Sequence, residues 1–228
     1  VRLADHQKAA DYTSAKTRFA MLGMLFDAGL LLAFTLGGGI QFIADLCRGW
    51  FSVPLVQSMT TIVAVLLLSS LLETPFNLYR TFVIEARFGF NKTTLLLYLT
   101  DTLKSLLLGA ILGLPLLFGV LWLMERMGEY WWLYVWLVWM VFNLFILFIY
   151  PSFIAPLFNK FTPLRDETMK ARIEALLARC GFTAQGLFVM DGSRRTAHGN
   201  AYFTGFGKTK RIVFFDTLLE RLSGDEVE

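Results

Sequence analysis

The sequence contains two histidines, His6 and His198, and two cysteines, Cys47 and Cys180. A catalytic zinc ion needs two imidazoles one helical turn apart, a neighbouring glutamate to take a proton from the bound water, and a further ligand. The two histidines do not have that spacing, so this chain assigns neither catalytic nor metal residues within 1–228. The cysteines stand too far apart for a CxxC site or a disulfide framework and are expected as free thiols. His198, next to Gly199, has the residue type of a ligand or proton carrier but is expected as an exposed loop residue. Arg194 and Arg195 beside it suit an anionic substrate terminus, with a solvated turn as the favoured alternative. Asp27 and Asn143 fall inside apolar stretches, where a polar group is costly and marks an internal path or cavity. Asp27 alternatively lies near enough to a helix end to meet Arg18 or lipid headgroups.

The elements that would position these groups are mostly membrane helices. Hydrophobic residues make up 56% of the chain and charged residues 17%, against about half and a quarter in soluble domains. A net charge of +3 without a dense basic run is too small to argue for a nucleic-acid partner, and none is expected. About 20 helical residues at 1.5 Å each cross a hydrocarbon core of roughly 30 Å. Four stretches meet that length: 19–44, interrupted only by Asp27, then 51–72, 105–124 and 130–153. The last opens with the aromatic cluster Tyr130, Trp131, Trp132, Tyr134 and Trp136, a composition that sits at headgroup depth. The roughly 70 residues after 158 are too few to wrap four such helices in a soluble core.

Lysine and arginine alternate between the loops. Arg2, Lys8, Lys16 and Arg18 precede the first span, only Arg48 follows it, and Arg80, Arg87, Lys92 and Lys104 fill the middle loop. Arg126 stands alone in the third loop, and eleven basic residues follow Asn159. By the positive-inside rule the N-terminus, the middle loop and the tail face the cytoplasm. The middle loop's 73–80 mixes aromatic and charged residues at helical spacing and is expected to lie along the interface. Gly89 is expected to stop a helix, and Asn91 or Thr93 to cap the next. Pro151 and Pro156 are expected to end the last span and turn the chain off the membrane.

The tail reads as a small α+β piece. Thr162 or Asp166 can cap a helix that places Met169, Ile173, Leu176, Leu177 and Cys180 on one face, Cys180 as a core residue, with Gly181 as the stop. Residues 187–190 read as a buried strand, and 201–206 and 212–215 as a hairpin joined through 207–210. Asp216 or Thr217 caps a further turn. Ser223 and Glu226 form a capping box with no helix body after it, and Val1 is not an initiator. The chain is therefore expected to be truncated at both ends.

Three separated runs resemble one family. They are Phe82-Val83-Ile84-Glu85-Ala86-Arg87-Phe88-Gly89-Phe90-Asn91-Lys92-Thr93-Thr94, then 150–164 with its Pro151, Pro156 and Pro163, then 197–206 followed by 211–219. These are similar to the integral-membrane CAAX prenyl proteases, zinc metalloendopeptidases of the type I CAAX class. The resemblance implies a mainly α polytopic membrane bundle over 1–158. It also implies the start of a small α+β zinc-peptidase domain over 159–228, with the H-E-x-x-H helix beyond Glu228. Zinc would belong to the complete protein and not to this fragment, which is expected to be inactive.

The resemblance further implies cleavage near the C-terminus of prenylated or hydrophobic substrates, a lipid-bilayer environment, and a multi-pass location in an inner membrane or the endoplasmic reticulum. It also implies that the strand at Asn200, Ala201, Tyr202 and Phe203 pairs with extended substrate. Physically, an edge strand offers unpaired N–H and C=O groups as a template; the alternative is an ordinary strand with Tyr202 in packing. The rival functions are a non-catalytic membrane scaffold or substrate-binding module, and a four-span channel with Asp27 in its path.

Overall fold

The computed structural model describes residues 3–182, 184–205, 210–222 and 226, the side chains of Ala4 and Asp5 excepted. Phe206, the turn residues 207–209 and Ser223 of the expected capping box lie outside the described residues. The chain is mainly helical with a four-stranded sheet near its end. It divides into two compact units, residues 1–91 with 107–135 and residues 92–106 with 136–228. Four helical stretches are long and apolar enough to cross a membrane: His6–Thr35, Pro54–Glu85, Leu95–Arg126 and Gly128–Phe158. Each has 30 to 32 residues, more than the roughly 20 a bilayer core requires.

The first unit contains α1 (Leu3–Thr35), α2 (Gly39–Trp50) and α3 (Pro54–Tyr79). The expected first span of 19–44 is not one helix. It breaks after Thr35, where Gly38 adopts φ 76°, a left-handed conformation open to glycine without cost. A Cβ on Gly37 would stand 2.6 Å from the Ala33 carbonyl oxygen, so the chain closes here only without a side chain. The segment 73–80 is helical, as its spacing suggests. It continues α3 through Pro75 and passes into a π-helical stretch, Arg80–Glu85. Gly89 does stop the helix, at φ 80°.

Tyr12 ties this connector to α1. Its hydroxyl donates to Glu85 Oε1 at 2.6 Å, and its ring meets those of Phe88 and Phe90 at 5.3 and 4.7 Å. Phe19 and Phe26 of α1 pack on Phe76 of α3 at 5.9 and 4.6 Å.

α4 (Leu95–Arg126) and α5 (Trp131–Ile149) contribute to both units. The cap of α4 is neither Asn91 nor Thr93: Thr94 Oγ1 accepts from the Leu97 N–H at 3.2 Å. In the second unit α5 runs into a π-helical stretch, Tyr150–Ile154, and then α6 (Ala155–Phe158). The two prolines do not break the helix as expected. Each sits in the first positions of its helical stretch, where a missing N–H has less to lose. The helix ends later, at Asn159, whose backbone is extended.

The remainder of the second unit is β1 (Phe161–Pro163), α7 (Glu167–Arg179), β2 (Gly186–Met190), β3 (Ala201–Thr204), β4 (Arg211–Phe215) and α8 (Asp216–Leu219). Asp166 caps α7 through the Met169 N–H at 3.0 Å, and Gly181 follows it at φ 65°. The strand order is β1-β2-β4-β3, antiparallel at both ends and parallel between β2 and β4. β4 lies between two strands, and its Ile212, Val213 and Phe214 are all buried. Ile173 of α7, Leu164, Leu187, Ile212 and Phe214 form the core, with Met169, Leu177, Leu218 and Leu219 packed against it. Cys180 is corrected from core to exposed: it is the C-cap of α7, where the chain is already leaving the inner face.

Candidate functional site

β3 is an end strand of the sheet, so its outer side has no strand partner among the described residues. Its register on β4 runs Ala201↔Phe214, Tyr202↔Val213, Phe203↔Ile212 and Thr204↔Arg211. The Phe215 N–H donates to the Asn200 carbonyl at 2.9 Å, which fixes Asn200 and Phe215 as a hydrogen-bonded pair. Such pairs alternate along an antiparallel ladder. Asn200, Tyr202 and Thr204 therefore turn their backbone groups toward β4, and Ala201 and Phe203 turn theirs to the open edge. Asn200 Oδ1 accepts from the Ala201 N–H at 2.9 Å, which occupies one of those outward groups.

The side chains divide as the pleat requires. Tyr202 is half-buried, its hydroxyl 3.8 Å from Met190 Sδ and its ring 6.3 Å from Phe215. It lines a small hollow together with Tyr150, Pro151, Phe188 and Arg211. Burial, and secondarily Tyr150, raises its phenol above the ordinary value. Phe203 is 67% exposed and meets the Phe182 ring at 5.3 Å.

The loop into β3 is pinned at several points. Arg195 is not the solvated turn residue its sequence context suggests. Its Nε donates to Asp101 Oδ2 at 2.8 Å and its Nη2 to Asp101 Oδ1 at 3.0 Å. Further donations go to Asn159 Oδ1 at 2.9 Å and the Phe158 carbonyl at 2.6 Å. The Arg195 carbonyl accepts from the Lys92 N–H and from Thr93 Oγ1, both at 3.1 Å. Arg194 is exposed and pairs with Asp191 at 3.3 Å.

On the other flank, Asp216 accepts from the Ser193 N–H at 2.8 Å, from Ser193 Oγ at 2.5 Å and from the Thr217 N–H at 2.8 Å. The expected cap is corrected: Asp216 is the first residue of α8, whose N-cap position is Phe215 without a side-chain cap, and its carboxylate holds the preceding loop instead. Thr217 Oγ1 donates to the His198 carbonyl at 2.8 Å. Gly199 lets the loop approach α8, since a Cβ there would lie 3.1 Å from Leu218 Cα. Asp101, Asn159 and Ser193 are the loop partners that sequence reasoning missed, and the long-range role of Asp216 is a fourth. Only the pairing of chain segments far apart in sequence identifies them.

His198 is exposed, and no group of three or more His, Cys, Asp or Glu residues able to hold a metal comes together among the described residues. The described residues therefore do not fit a zinc site. Asn143 satisfies itself within α5, donating to the Trp139 carbonyl at 2.7 Å. Asp27 lines a cleft of about 230 Å³ between α1 and α3 with Lys16, Glu73, Asn77 and Arg80.

Four long apolar helices joined to a helix-backed mixed sheet define a multi-pass membrane protein carrying a small α+β element. Residues 1–160 match the model of the CAAX prenyl protease N-terminal region with five membrane helices, and residues 163–228 that of peptidase family M48. The chain belongs to this family of membrane metalloproteases. It is 41% identical to the CAAX prenyl protease 1 homolog of Caenorhabditis elegans over 98% of its own length and 49% of the relative's. With CAAX prenyl protease 1 of Saccharomyces cerevisiae it shares 36% identity, over 96% of this chain and 51% of that one. Superposition on the crystal structure of S. mikatae Ste24p gives a TM-score of 0.85 at 36% identity, over 95% of this chain and 52% of the other. The chain spans about half the length of the curated relatives it matches.

Proposed function

We propose that this chain supplies the membrane bundle and the substrate-facing strand of a zinc metalloendopeptidase that cleaves near the C-terminus of prenylated or otherwise hydrophobic proteins. The metal would be held by residues outside 1–228, so the 228-residue chain alone would be inactive. The membrane domain would occupy 1–158 and the start of the peptidase domain 159–228. The basic residues after Asn159 support a cytoplasmic position for the peptidase domain.

One observation carries the substrate assignment: at the open edge of β3 the backbone groups of Ala201 and Phe203 face away from β4. An extended peptide can add there as a further strand, main chain to main chain. Phe203 offers an exposed aromatic surface beside it. Asn200 would release the Ala201 N–H as the peptide arrives, and Tyr202 holds the strand down by packing.

The test uses the full-length protein and a prenylated CAAX peptide. Phe203→Pro removes one outward N–H while leaving the ladder to β4 intact, because Phe203 is in a non-bonded pair; Phe203→Ala keeps that N–H. The expected result is a KM for Phe203→Pro raised about tenfold over Phe203→Ala, the loss of one backbone hydrogen bond to substrate. Equal KM values for the two variants would overturn the assignment. Chelation should abolish cleavage by the full-length protein, and the 228-residue chain should neither cleave the peptide nor retain stoichiometric zinc.

A further inference from the structure

We infer that Arg195 is a positioning residue for β3, acting through a joint it forms with Asp101, Asn159 and the end of α6. The inference rests on the substrate-pairing reading of that strand.

An edge strand is held on one side only, so its conformation depends on how its two ends are fixed. Here the leading end is fixed by one guanidinium that makes four donations to two segments: two to Asp101 of α4, and two to the end of α6 at the Phe158 carbonyl and Asn159. The fork on Asp101 is bidentate, which fixes orientation as well as distance. Arg195 and Asp101 side chains are 23% and 21% exposed, so the pair is largely withdrawn from competing water.

The backbone of the same residue is engaged as well. Its carbonyl takes the Lys92 N–H and the Thr93 hydroxyl, just before the cap of α4. Its own N–H and that of Thr196 both donate to the Gly192 carbonyl at 3.0 Å. Lys104, one turn along α4 from Asp101, donates to the Leu157 carbonyl at 2.8 Å. The carbonyl end of α6 is thus held by two cations, the arrangement that a helix C-terminus favours. From this joint five residues lead to Ala201. A strand already held in register costs a bound peptide less ordering entropy than a loose one, so the joint contributes to substrate affinity at a distance from the substrate.

The experiment compares Arg195→Ala, Arg195→Lys, Asp101→Asn and the charge swap Asp101→Arg with Arg195→Asp in the full-length protein in detergent. Hydrogen exchange is followed over residues 196–204, and KM and kcat are measured with a prenylated CAAX peptide. Arg195→Lys keeps the charge but loses the fork, so it remains informative where Arg195→Ala does not fold. The expected result is exchange over 196–204 faster by about tenfold in Arg195→Lys and Asp101→Asn, KM raised by a similar factor with kcat within about twofold, and partial recovery in the swap.

Unchanged exchange over 196–204 overturns the positioning role. A fall in kcat at unchanged KM overturns it too, because a merely structural pair would act by reducing the active fraction. Faster exchange with both KM and kcat unchanged keeps the positioning role and overturns the substrate reading of β3.

Discussion

Asp101 and Arg195, 94 residues apart in sequence, meet through two parallel hydrogen bonds of 2.8 and 3.0 Å. The carboxylate comes from a helix that the sequence marks as membrane-spanning, and the guanidinium from a loop of the tail. Removing one partner leaves the other charge largely out of water with its hydrogen bonds unmade, which costs more than the pair contributes when intact. Asp101→Ala is expected to destabilise the protein by about 2 kcal/mol, read as a lower melting temperature in detergent. An unchanged melting temperature would mean that Asn159 and Phe158 suffice to hold Arg195.

Asp216 joins the 192–200 loop to the start of α8 by two hydrogen bonds accepted from Ser193, and it accepts a third from the adjacent Thr217 N–H. Asp216→Ala leaves the Ser193 and Thr217 N–H groups without an acceptor, and a loss of about 2 to 3 kcal/mol is expected. Limited proteolysis should then cut within 193–200 at protease concentrations that leave the parent protein intact. Ser193→Ala removes only the hydroxyl bond and should have less than half that effect.

Tyr202 gives the second unit a pH dependence at the alkaline end. Burial, and secondarily Tyr150, holds its phenol above the ordinary 10.0, so the folded chain keeps a proton that the unfolded chain releases. The stability tied to this group is complete below pH 10 and is lost as pH rises through the folded value. Tyr202→Phe should flatten that alkaline loss and remove one late-titrating phenol from the ultraviolet titration. An alkaline denaturation curve that superimposes on the parent's would contradict the burial of the hydroxyl.

Asp166 supplies the N-cap of α7. Asp166→Ala should cost about 1 kcal/mol, and Asp166→Ser much less, because serine can accept the same Met169 N–H. Helix content measured by circular dichroism should change little in either, since α7 is also held by Ile173 in the core.

The four spans are legible in the sequence because a charge-poor run of about 20 residues, in a chain this apolar, satisfies its backbone and its side chains together only as a helix in lipid. Their ends are not legible. Pro151 and Pro156 read as breakers, yet both sit where a helical N–H is least needed. Gly37 and Gly38 look like ordinary members of an apolar run until the folded backbone shows the turn. β1 escapes detection because three residues ending in Pro163 carry too little strand signal; pairing with β2 makes them a strand.

The candidate strand 200–203 is legible by resemblance. Which of its residues face outward is not, since that depends on register with β4. Arg195 is misread from sequence for the same reason: nothing within several residues of it, nor near Asp101, announces a partner 94 positions away. Sequence reasoning sees periodicity and local chemistry, and long-range pairs appear only once the chain is folded.

The alternation along β3 has a last consequence. Because bonded and open positions succeed each other one by one, adding or deleting a single residue between Gly199 and Thr204 would exchange the two sets, presenting Tyr202's amide outward and turning Phe203's toward its neighbour. Substituting letters in this short segment changes what it touches; changing its length by one reverses which way it looks.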